Sequence, residues 1–90
     1  EVIAVANGVV TWSGPRYGYG NLVEINHGNG LTTRYGHNED ILVEVGDAVE
    51  KGQAISLMGS TGRSTGPHVH FEVLKNDHQI DPAKFVHANS

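Results

Sequence analysis

Hydrophobic positions along this chain fall in short valine-rich runs and strict alternations, and no run sustains helical periodicity. The clearest alternation is HVHFEVL: Val69, Phe71 and Val73 share one side of an extended chain, and His68, His70 and Glu72 the other. A second is NLVEINHGNGLTTRYGH, two β-prone runs joined through His27-Gly28-Asn29-Gly30, which predicts a hairpin. On its second strand, alternation puts Leu31, Thr33, Tyr35 and His37 on one face and Thr32 and Arg34 on the other. EVIAVANGVVTWSG predicts strand, turn and strand, with Asn7-Gly8 as the turn signal. GPRYGYG reads as a loop whose tyrosines cover the sheet edge. KNDHQIDPAKF reads as a turn, a short edge strand and a terminal turn from Asp81-Pro82. The expected architecture is all-β: a single small domain of antiparallel sheets over residues 1–90, with little or no helix.

Composition sharpens this in two places. Twelve glycines in 90 residues call for many tight turns, as short strands do. Six histidines are a high count for so small a domain, and histidine is both a metal ligand and a proton carrier near neutral pH. Without cysteine, disulfides and thiolate metal sites are excluded. Six basic residues against ten acidic ones give a formal charge of -4 with no basic run, so a nucleic-acid partner has no electrostatic footprint. The apolar runs are too short to span a membrane as a helix. Glu39, Asp40 and Asp47 read as a solvated acidic face rather than as ligands.

The candidate chemistry lies in the histidine strand. Its apolar side must pack into a core, and bare imidazole and carboxylate groups opposite cannot also be buried, at about 2–7 kcal/mol each. They must meet water, a polar network or a metal. Alternate strand residues are about 6.6 Å apart along the chain, so His68 and His70 can reach a common ion. His37, in Tyr35-Gly36-His37, ends another strand and offers a third nitrogen. Three such ligands would fit a catalytic zinc but leave no general base, and a wet polar surface remains open as well.

The ordered segments VIAVANGVV, GYGNLVEINHGNGLTTRYGH, VGDAVEKGQAI, GSTGRSTGPHVHFEV and DPAKF cover nearly the whole chain. Together they resemble the C-terminal part of the LytM/lysostaphin-type zinc endopeptidases, which hydrolyse peptidoglycan. The resemblance implies a grooved LytM-like core and a zinc cofactor. It makes His70 the metal ligand, His68 the proton carrier beside the attacking water, and His37 a catalytic residue orienting water or stabilising the transition state. It places the family's other two ligands, a histidine and an aspartate in His-x-x-x-Asp, upstream of VIAVANGVV. The chain is thus expected to lack that N-terminal segment, and to pair with an N-terminal fragment of the same domain. The implied substrate is a peptide cross-link, with D-alanyl–diaminopimelyl favoured over a glycine bridge, and the implied location is the periplasm or cell envelope. Two other functions match parts of the sequence. A catalytically silent LytM-like regulator or cell-wall-binding module would explain the missing ligands. A lipoyl- or biotinyl-type carrier is suggested only by VGDAVEKGQAI, where Lys51 stands in Glu-Lys-Gly, outside those domains' signatures.

Overall fold

The computed structural model describes residues 1–58 and 70–81. Among them the chain is all-β, as expected. Its strands are β1 (Val2–Ile3), β2 (Gly8–Arg16), β3 (Gly20–Gly28), β4 (Leu31–Ile41), β5 (Ala48–Val49), β6 (Ala54–Met58), β7 (His70–Lys75) and β8 (His78–Ile80). They pair antiparallel in the order β1-β6-β4-β3-β2-β5, with β7 on β4 and β8 on β7. β4 therefore serves three neighbours with two edges. β3 takes one edge; on the other, Leu31 to Gly36 pair with β7 and Asn38 to Ile41 pair with β6. The sheet divides at His37.

Turn chemistry fixes the hairpins. Asn29 and Gly30 have φ of 53° and 79°, and Asn76 and Asp77 have 52° and 67°. Positive φ at both central residues is the I′ geometry whose twist suits a two-residue hairpin. Two expectations needed adjusting. β2 runs on through Gly14, Pro15 and Arg16, so the connection to β3 is only Tyr17 to Tyr19. Pro15 is tolerated because, among the described residues, β5 covers only Gly8 and Val9 and leaves this end of β2 an edge. Tyr17 is 101% exposed and covers nothing, whereas Tyr19 folds back onto the sheet. Likewise β1 and β2 flank the Asn7-Gly8 bend without pairing: β1 joins β6, and β2 joins β3 and β5.

Val10, Val23, Ile25, Tyr35, Val49 and Ile55 form the buried centre, with Phe71 packed against it. The rings of Tyr35 and Phe71 lie 5.4 Å apart, so the apolar side of β7 faces the core as its alternation requires. Beneath them Thr33 Oγ1 bonds Tyr35 Oη at 2.8 Å, and the Val5 N–H donates to the same phenol at 3.3 Å. His27 bridges Asn7 O and Thr33 Oγ1, each at 2.7 Å. Since a carbonyl can only accept, Nδ1 of His27 carries a proton. This histidine ties the β2 entry to the core.

Candidate functional site

Alternation alone sends His37 to the core with Tyr35. The structure does the opposite, because β4 holds one extra residue there. Val23 pairs with Tyr35 and Asn21 with Asn38, so two steps on β3 match three on β4. That is a β-bulge. Tyr35 and Asn38 are both buried, Gly36 is covered by Tyr19, and His37 is left exposed on the outer side. His37 takes φ of 62°, an uncommon conformation outside glycine that costs about 1–2 kcal/mol. Asn38 plugs the bulge from below: Nδ2 donates to Tyr35 O at 2.7 Å and Asn21 O at 3.0 Å, and Oδ1 accepts from Ser56 Oγ at 2.7 Å.

The reversal brings His37 to the histidine side of β7. Gly36 pairs with His70, and the two imidazole rings stand 6.1 Å apart, edge to face. The His37 N–H donates to Tyr19 O at 2.7 Å. Gly36 leaves room for this approach, since a Cβ there would sit 3.2 Å from Tyr19 O and 3.3 Å from Tyr19 Cδ1.

Behind His70 lies a polar network. His70 Nε2 is 2.8 Å from Glu72 Oε2, the imidazole 48% exposed and the carboxylate 12%. Tyr19 Oη donates to Glu72 Oε1 at 2.8 Å and accepts from Arg34 Nη1 at 3.1 Å. Arg34 Nε donates to Glu24 Oε2 at 2.7 Å, and Thr11 Oγ1 donates to Glu24 Oε1 at 2.9 Å. Burial works to raise the Glu72 carboxyl, but the bonds from His70 and Tyr19 and the charges of His70 and Arg34 outweigh it, holding the group below its ordinary value. Burial likewise works against the Arg34 cation, and its bonds to Glu24 and Tyr19 reverse the effect and raise it. Glu72 is thus an acceptor only, so His70 Nε2 bears the proton and, in the neutral ring, Nδ1 is the nitrogen left to bind a metal.

The structure therefore unites His37 and His70, while His68 lies outside the described residues. Of water, polar network and metal, Glu72 meets the polar network, being buried and bonded on both oxygens. Alternation put Arg34 on the face opposite Tyr35, a signal in the sequence that it points away from the core, though it also separated Arg34 from His37. Tyr19 carried no such signal, being separated from Glu72 by 53 positions. Among the described residues no three histidine, cysteine or acidic side chains converge to hold a metal, so His70 fits zinc as one ligand of an incomplete set. A pocket of about 260 Å³ beside Val2, Val5, Tyr35, Met58 and Phe71 lies on the opposite, apolar face of β4 and β7. It shares no residue with the histidine pair. No helix among the described residues is long and apolar enough to cross a membrane.

The chain is similar to proteins of known kind. The Vibrio cholerae peptidoglycan DD-endopeptidase ShyB is 49% identical over 65 residues, covering 72% of this chain and 15% of its own length. The Escherichia coli murein hydrolase activator EnvC is 39% identical over 86 residues, 96% of this chain and 20% of the activator. The chain thus spans a fifth or less of the length of these curated relatives. Among solved structures, a zinc-containing peptidase from Vibrio cholerae superposes with a TM-score of 0.75 at 43% identity, over 84% of this chain and 24% of that one. Residues 1–82 match the description of Peptidase family M23, and the chain belongs to that family, the LytM/lysostaphin type its motifs resemble.

Proposed function

We propose that this chain is part of a zinc-dependent endopeptidase that hydrolyses peptide cross-links of bacterial peptidoglycan in the periplasm or cell envelope. The observation that carries the reading is the His37–His70 pair, with His70 oriented by Glu72, in a chain of family M23. The peptidoglycan endopeptidase relative and the zinc-containing structural neighbour support the substrate and the metal.

His70 would hold the zinc through Nδ1, and the histidine and aspartate that would complete its ligands belong to the upstream segment the family resemblance implies. When bound, zinc would supply a Lewis acid that lowers the pKa of water to about 7 and polarises the amide carbonyl. His68 accepts the proton of the attacking water and returns it to the departing amide nitrogen, work suited to an imidazole of ordinary pKa about 6.5. His37 stands beside the ligand, where it orients the water or donates to the oxygen that gains charge.

Elemental analysis and release of peptides from purified cell walls test this in the intact protein. About one zinc per protein is expected, with activity lost in both His70→Ala and His68→Ala, and zinc lost in His70→Ala alone. Cell-wall hydrolysis at the wild-type rate by the folded His70→Ala protein refutes the assignment. The murein hydrolase activator among the relatives favours a second reading, a catalytically silent regulator. That reading requires neither zinc nor hydrolysis from the intact wild-type protein.

A further inference from the structure

We propose that Tyr19 and Glu72 act as one positioning unit serving both histidines of the site, with Tyr19 as its hub. The inference rests on the reading of His70 as a metal ligand. Tyr19 sits in the three-residue turn between β2 and β3 and reaches the site in two ways. Its carbonyl accepts the His37 N–H at 2.7 Å, at the residue whose φ of 62° turns the ring outward. Its phenol donates to Glu72 Oε1 at 2.8 Å, while Glu72 Oε2 faces His70 Nε2 at 2.8 Å.

The direction of each bond matters. The Tyr19 oxygen accepts from Arg34 Nη1 at 3.1 Å, so its own proton is committed to Glu72. Arg34 is fixed in turn by Glu24 at 2.7 Å. The carboxylate therefore has one oxygen saturated by the phenol and the other directed at His70. This selects the Nε2–H tautomer and presents Nδ1 outward. The rotation of the imidazole is restrained too, because the Tyr19 ring stands 6.1 Å from it and the His37 ring 6.1 Å on another side. Gly36 keeps the unit assembled, since its missing side chain is what lets Tyr19 lie against β4. Neither Tyr19 nor Glu72 touches the substrate in this scheme. They set which nitrogen is offered, and where.

Two readouts test the unit in the intact protein. In the metal-free form, nitrogen-15 correlation spectra above the ordinary histidine range, about pH 8, report the His70 tautomer. In the metal-binding form, competition with a chelator reports zinc affinity. Wild-type protein is expected to hold His70 as the Nε2–H tautomer. Glu72→Ala should let the tautomers mix and weaken zinc by about 10–100-fold, as loss of a partner behind a ligand does. Glu72→Gln, whose amide oxygen can still accept from Nε2, should recover most of that loss. Tyr19→Phe should weaken zinc several-fold and shift the His70 signals while leaving the circular dichroism spectrum unchanged. If Glu72→Ala is poorly folded, Glu72→Gln and Tyr19→Phe alone decide the matter. An Nδ1–H tautomer in wild type, or wild-type zinc affinity in both Glu72→Ala and Tyr19→Phe, overturns the proposal. Failure of the underlying reading looks different: His70→Ala then keeps its zinc.

Discussion

Adding one methyl group at Gly36 should disturb the site from a position that carries no functional group. A Cβ built there lies 3.2 Å from Tyr19 O, 3.3 Å from Tyr19 Cδ1 and 3.6 Å from His70 Cβ. Carbon atoms prefer about 3.5–4.0 Å, so the first two contacts are short by a few tenths of an ångström. The Tyr19 carbonyl cannot simply retreat, because it accepts the His37 N–H at 2.7 Å. Overpacking typically costs about 1–3 kcal/mol. The entropy removed from the unfolded chain by Gly→Ala returns about 0.4–1 kcal/mol. Gly36→Ala should therefore destabilise the fold by about 1 kcal/mol, or about 4–8 °C in Tm for a domain of this size. Urea titration measures the loss, and the amide resonance of His37 reports whether its bond to Tyr19 has stretched. A double-mutant cycle with Tyr19→Ala should show a coupling of at least about 0.5 kcal/mol, since the ring contact is then already gone. Unchanged stability with unmoved His37 and Tyr19 signals would show that Tyr19 does not lie over Gly36.

Three further outcomes follow from named contacts. His37→Gly should be about 1 kcal/mol more stable than His37→Ala, because glycine adopts φ of 62° without strain; equal denaturation midpoints would mean that this backbone geometry is not held. Tyr35→Phe should cost about 1–3 kcal/mol at neutral pH by stranding the Val5 N–H and leaving the Thr33 hydroxyl with His27 as its remaining side-chain partner. Burial raises the Tyr35 phenol above its ordinary value, even though the bonds from Thr33 and Val5 work to lower it. Its contribution is then complete below about pH 10 and is lost as pH rises through the higher folded-state value. Urea midpoints of wild type and Tyr35→Phe should accordingly converge in alkali, and a constant gap would contradict the buried phenol.

The parts of the fold set by local chemistry were legible in the sequence. Asn29-Gly30 announces its hairpin because few residues adopt positive φ twice in succession, and the Phe71/Val73 alternation identifies the core side of β7. What local patterning hides is where a strand changes register. His37 was assigned to the wrong face because a bulge is an agreement between β4 and β3 across the sheet, with only Asn38 as its local trace. Tyr19 was hidden for a similar reason, since its partners lie on β4 and β7. The histidine pattern identified where to look, and the family resemblance attached roles to His37, His68 and His70. The polar scaffold that holds His70 in place appears only once the strands are paired.

That scaffold makes the two ends of the sheet unequal in their tolerance of insertions. At one end Asn29-Gly30 and Asn76-Asp77 close their hairpins side by side, with the Asn76 N–H donating to Gly30 O at 2.8 Å. Extra residues in either turn would lengthen a loop at the far end of the strands from His37 and His70. At the other end Arg16 pairs with Gly20, and the Tyr19 N–H donates to Arg16 O at 2.9 Å, so the turn has no slack. A single residue added between Arg16 and Tyr19 would displace the phenol and the carbonyl together. Affinity tags, fluorophores and grafted loops therefore belong at the Asn29 and Asn76 turns, and the Tyr17–Tyr19 turn must keep its length.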